Sequence, residues 1–85
     1  MQATAINLGN GKEKILVDGK VYIQAAATGK YNYISRVFKE NSEHGYSFES
    51  IGKHRTKSAA EKFGGTFSKG AKIVRREVAE VVRQD

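Results

Sequence analysis

Lys53-His54-Arg55-Thr56-Lys57 sets three bases and a histidine within five residues, and the natural ligand of such a cluster is a phosphate or a carboxylate. The run opens a stretch of helical spacing, so the bases gather where a helix N-terminus leaves backbone N–H groups unpaired and carries partial positive charge. Acids are favoured there and bases are not, and a local rule broken without visible compensation marks a candidate functional site. Lys69, Lys72, Arg75 and Arg76 extend the cluster. Between Lys53 and Arg76 stand eight bases and one acid, Glu61, a net of +7, whereas the rest of the chain carries seven bases and eight acids. Charge concentrated in this way attracts a polyanion or an acidic protein surface. The plainer alternative is a solvated face, with Lys and Arg stems covering apolar surface.

The aromatic residues Tyr31, Tyr33, Tyr46 and Phe48 fall on neighbouring expected strands. Exposed, Tyr31, Tyr33 and Tyr46 would offer stacking platforms for single-stranded bases. Buried, they would be the core that a small domain needs. Catalysis has little support, and the expectation is a binding protein, not an enzyme. His44 and His54 lack metal-ligand spacing and have no carboxylate cluster beside them. The Ser and Thr residues sit in no nucleophile motif, and Gly64-Gly65-Thr66-Phe67-Ser68-Lys69-Gly70 lacks the spacing of a phosphate-binding loop. No cofactor and no metal is expected.

The elements that must position these residues are short. Asp18-Gly19 between Lys14–Val17 and Val21–Ala25 is a strong hairpin signal. Residues 31–38 read as a strand with Tyr31, Tyr33 and Val37 on one face and Ile34 and Phe38 on the other. Lys39 to Gly45 reads as a polar loop, and Tyr46–Ile51 alternates as a strand with Tyr46 and Phe48 on one side. Thr56 suits a helix N-cap, Ala59, Ala60 and Phe63 form an apolar stripe, and Gly64-Gly65 ends the helix. Residues 71–82 fit a strand or a helix, with the strand favoured because five of its twelve residues are β-branched. On a strand Lys72 and Arg76 share a face and Arg75 takes the other; on a helix all three share one. The expected fold is α+β: a small antiparallel sheet of about four to five strands with one short helix packed on it.

An 85-residue chain makes a single small domain, here residues 1–85, with one modest core. It has no cysteine, which excludes disulfides and thiolate sites and fits a reducing cytoplasm. Its longest apolar runs, Ile15–Val17 and Ala25–Ala27, fall far short of a membrane helix, and the N-terminus lacks the pattern of a signal peptide. Gly52 to Phe63 is similar to the last helix of double-stranded RNA-binding domains, where lysines at the helix start meet phosphates. That family also carries a helix before its strands, and none is evident before Tyr31, so the likeness stops there. Two functions follow from the charge. One is a small basic nucleic-acid-binding protein, DNA or RNA, that contacts phosphates with weak sequence specificity. The other is a protein-interaction module or inhibitor, of the kind phages and mobile elements encode, that sets the same surface against an acidic partner.

Overall fold

The computed structural model describes residues 1–25, 30–43, 45–66 and 69–84. His44 and the Phe67-Ser68 part of the glycine-rich stretch lie outside the described residues. The chain forms β1 (Gln2–Gly9), β2 (Lys12–Val17), β3 (Lys20–Ala25), β4 (Tyr33–Asn41), β5 (Tyr46–His54), α1 (Lys57–Lys62) and β6 (Lys72–Gln84). Asp18 and Gly19 join β2 to β3 with φ of 52° and 74°, the paired left-handed residues that match a tight hairpin to strand twist.

The strands make one sheet in the order β3-β2-β1-β6-β4-β5, curled into a half-barrel. The expectation of four to five antiparallel strands is corrected in two ways: there are six, and β1 runs parallel to β6. The extra strand, β1, buries only Ala3 and Ala5. Alanine alternating with polar residues gives almost no hydrophobic period, so the strand hides in the sequence. The ambiguous last segment is a strand. β6 lies between β1 and β4 and hydrogen-bonds to both, a position where its β-branched residues suit the pleat.

One face of the sheet holds the main core: Ala3, Ile15, Val17, Tyr31, Ile34 and Ala79, with Tyr22, Ile51 and Val81 packed against it. Helix α1 covers the other face over β4, β5 and β6. Ala60 is fully buried there, as are Ser35 and Val37 of β4, while Ala59 of the expected stripe is exposed. The Phe63 ring seats on Gly52, where an added Cβ would stand 2.8 Å from the ring. Glycine at 52 is therefore a matter of packing, and β5 runs on through it to His54.

β4 likewise continues through Lys39–Asn41, where a polar loop was expected. The buried side chains there anchor the connection from α1 to β6. Lys39 Nζ donates to the Thr66 carbonyl at 2.7 Å, Asn41 Nδ2 to the Lys69 carbonyl at 3.0 Å, and the Thr66 amide donates to Ser50 Oγ at 3.0 Å. Backbone carbonyls beneath a loop need such donors once water is excluded. On the core face a polar network spans the gap between the edge strands β3 and β5. Glu49 accepts from the Tyr22 hydroxyl and from Lys20 Nζ at 3.2 Å. Buried Arg36 meets Glu77, its cross-strand neighbour, and reaches Tyr22 at 3.3 Å and Asp18 at 3.4 Å. Burial alone would push the Glu49 carboxyl up, but hydrogen bonds from Tyr22 and Lys20 outweigh it and hold the group below its ordinary value.

Candidate nucleic-acid interface

The basic residues of the Lys53–Arg76 window do not share one surface. Lys53 points to the core face, cross-strand from Ile34. Its ammonium donates to the Ala25 carbonyl at 2.7 Å, lies 3.4 Å from Glu13 and sits 5.4 Å from the centre of the Tyr31 ring. This removes Lys53 from the expected anion site: the base ties β5 to β2 and β3. His54 is also withdrawn. Its imidazole stands edge-on to Phe63 at 5.0 Å between ring centres, with Nε2 buried and unpartnered among the described residues. Burial pushes its pKa down, which disfavours the charged form that an anion would need.

Arg55 and Lys57 are exposed. Asn32 Nδ2 donates to the Arg55 carbonyl at 3.1 Å, which fixes this turn beside the start of β4. The helix that follows has six residues. Thr56 caps it, its hydroxyl accepting from the Ala59 amide at 3.2 Å, as the sequence led one to expect. A helix so short builds little dipole, so the bases here matter through their own side chains.

Arg76 lies on the helix face, where its Nε donates to the Phe63 carbonyl at 3.0 Å. Lys72 and Arg75 lie on the opposite face. The expected pairing of Lys72 with Arg76 is overturned by a register shift: Phe38 faces Arg75, but Lys39 faces Ile73 and Glu40 faces Lys72. Val74 is left over as a bulge, and the alternation reverses across it. Arg75 stacks 4.1 Å from the centre of the Phe38 ring, which Arg36 approaches to 5.4 Å. Lys69 is exposed in the connection held by Asn41.

The aromatic residues divide in the same way. Tyr31 precedes β4 and is buried in the core, with cations against its ring: Lys53, and Arg83 at 4.6 Å. Arg83 also donates to the Tyr31 carbonyl. Burial, then the nearby Glu13 carboxylate, raise the Tyr31 pKa, although no described group meets hydrogen-bond geometry with the hydroxyl. A ring so enclosed is no stacking platform. Tyr46 is exposed beside Phe48, ring centres 5.9 Å apart, at the far end of β5 from the helix entrance. Tyr33 is half-buried on the helix face, cross-strand from His54 on one side and Glu80 on the other.

Of the residues singled out in the sequence, Tyr33 and Lys57 come together. They line a cleft of about 210 Å³ with Met1, Val78 and Glu80. That Glu80 lines this cleft was not legible in the sequence. Its position depends on the pairing of β6 with β4, nearly fifty residues away in the chain, and no local pattern carries that. Among the described residues no group of His, Asp and Glu is arranged to hold a metal ion, and no helix is long and apolar enough to cross a membrane. Comparison of the chain with protein-family models, with curated proteins and with solved structures finds no match in any of the three.

Proposed function

We propose that this is a small nucleic-acid-binding protein of the cytoplasm, a binding module and not an enzyme. It would hold the phosphate backbone through exposed bases on its helix side. The observation that carries the reading is the cleft shared by Tyr33 and Lys57, with Arg76 of β6 on the same face and the exposed bases Arg55 and Lys62 close to Lys57 along the chain. A ring beside cations is the pairing that single strands use, bases stacking while the backbone follows positive charge. Lys69 extends this surface, and Lys72 and Arg75 add to the field from the other face. Contacts of this kind discriminate weakly among sequences.

Fluorescence anisotropy with labelled single strands tests the proposal. With about four phosphates neutralised, the logarithm of the affinity should fall with the logarithm of salt at a slope of about −3. Undetectable binding of DNA and RNA even at ~50 mM salt would overturn it.

A second reading rests on a different surface. Val21 and Ile23 on the edge strand β3 are 50% and 63% exposed, with half-buried Leu16 cross-strand from Val21. An apolar edge beside a basic domain also suits a protein-interaction module or inhibitor that docks on an acidic partner. A pull-down from nuclease-treated lysate separates the two, since a stoichiometric protein partner that survives nuclease and moderate salt favours this second reading.

A further inference from the structure

We infer, resting on the nucleic-acid reading above, that the cleft between Tyr33 and Glu80 takes one base of a single strand and prefers guanine. Tyr33 and Glu80 are direct cross-strand neighbours on β4 and β6, so their side chains rise from the same face of the sheet. Val78, two residues before Glu80, continues that face, and Met1 and Lys57 of α1 complete the lining. At about 210 Å³ the cleft is smaller than the roughly 300–1,000 Å³ of sites that enclose whole small molecules. It suits a part of a larger ligand, as an unstacked base is part of a strand.

The lining chooses the part. Tyr33, Val78 and Met1 offer the flat or apolar contacts that every base accepts. Glu80 is an acceptor only. Guanine presents adjacent N1–H and N2–H donors on its Watson–Crick edge and can bond a carboxylate twice. Adenine and cytosine present one amine beside an acceptor nitrogen, and uracil and thymine flank their single N–H with two carbonyls. Neither Lys57 nor Glu80 forms an ion pair with a described residue. A surface cation and anion sharing one cleft without pairing suit a ligand that brings a phosphate to the first and a donor edge to the second. Lys57 then adds to affinity for any strand, and Glu80 discriminates among bases.

The test uses the whole chain and short labelled oligouridine strands with one position changed to guanosine, inosine, adenosine or cytidine, near ~50 mM salt. The guanosine strand should bind on the order of tenfold tighter than oligouridine, and inosine, which lacks the N2 amine, should lose much of that gain. Glu80→Gln should bring the ratio of guanosine-strand to oligouridine affinity toward one, because the amide keeps one acceptor oxygen and adds donors that the guanine N1–H and N2–H cannot use. Lys57→Ala should weaken all strands alike and leave the preference. Equal binding of all strands, a preference that survives Glu80→Gln, or inosine equal to guanosine would each overturn the cleft assignment and leave the phosphate reading standing. Free guanosine monophosphate competing as well as the strand would overturn the strand as ligand. No binding of any strand would overturn both. The inosine comparison needs no variant, so the outcome does not depend on a mutant folding.

Discussion

Lys53 separates a structural base from a binding one, and its replacement gives a quantitative test. In Lys53→Ala three contacts disappear: the 2.7 Å hydrogen bond to the Ala25 carbonyl, the 3.4 Å ion pair with Glu13 and the 5.4 Å approach to the Tyr31 ring. A hydrogen bond from a charged donor contributes about 1.5–3 kcal/mol. Ala25 is exposed and its carbonyl can rehydrate, which argues for the lower end of that range. The Glu13 side chain is only 13% exposed, so it loses its cation without regaining a full water shell. The cation on the ring adds about 0.5–1 kcal/mol. We expect a loss of about 2–3 kcal/mol, a large share of the roughly 5–15 kcal/mol that holds a domain together.

Thermal and urea unfolding measure this directly. For a chain of this size a 2 kcal/mol loss lowers the Tm by roughly 8–16 °C. Lys53→Met keeps an apolar stem over Tyr31 but removes the ammonium, and should recover only a small part of the loss. Arg55→Ala is the comparator. Its backbone carbonyl keeps the bond from Asn32, so stability should stay within about 0.5 kcal/mol of the parent while affinity for nucleic acid falls. If Lys53→Ala unfolds within about 0.5 kcal/mol of the parent, or Lys53→Met matches the parent, the ammonium is not a structural tie and the assignment of Lys53 to the core face fails.

Gly52→Ala should cost about 1–3 kcal/mol in chemical denaturation by overpacking, because the new Cβ would meet the Phe63 ring at 2.8 Å and His54 Nε2 at 2.9 Å. Burial depresses the His54 pKa below the usual 6.5, so the unfolded chain binds the extra proton more readily and stability falls as pH drops below that value. His54→Gln should flatten this part of the pH–stability curve, and a slope unchanged by the substitution would show that another group carries it. Glu49, with its depressed pKa, contributes stability that is present above the usual 4.5 and lost as pH falls through the lower folded value. Glu49→Gln should therefore reduce acid sensitivity below pH 4.5 while lowering stability at neutral pH.

The parts of the fold written in neighbouring residues were legible, and those that depend on distant partners were not. Asp18-Gly19 encodes its turn in two residues, and Thr56 caps α1 with a hydroxyl three residues from the amide it accepts. β1 gave no such signal because its inward residues are alanines, and what makes it a strand is pairing with β2 on one side and with β6, from the other end of the chain, on the other. Gly52 read as a boundary because glycine ends many elements, yet here it makes room for an aromatic ring arriving from the helix. The same misreading moved Lys53. With β5 ended at Ile51, Lys53 and His54 looked like the approach to a helix. With β5 running to His54, alternation sends Lys53 into the core face and His54 under Phe63. Tyr33 and Lys57 were legible as candidates because their types were right, but their meeting in one cleft depends on how α1 folds back over β4.

The basic window shows how much a single residue can decide. Without the bulge, Lys72 and Arg76 would line one face of β6 and add directly to the bases near the helix. Val74 interrupts the alternation, so Arg76 stays beside Phe63 while Arg75 and Lys72 turn to the side of Phe38 and Glu40. Bulges re-aim side chains in this manner. The bases of β6 are therefore split, with Arg76 on the helix face and Lys72 and Arg75 on the other. Arg76 is placed by its bond to the last helical turn, and Arg75 by its stacking on Phe38, so neither is a loose surface base. Net charge alone counted these residues as equivalent. Under the proposed function, Arg76 on the helix face would contact the ligand directly, and Lys72 and Arg75 would act on it through their field.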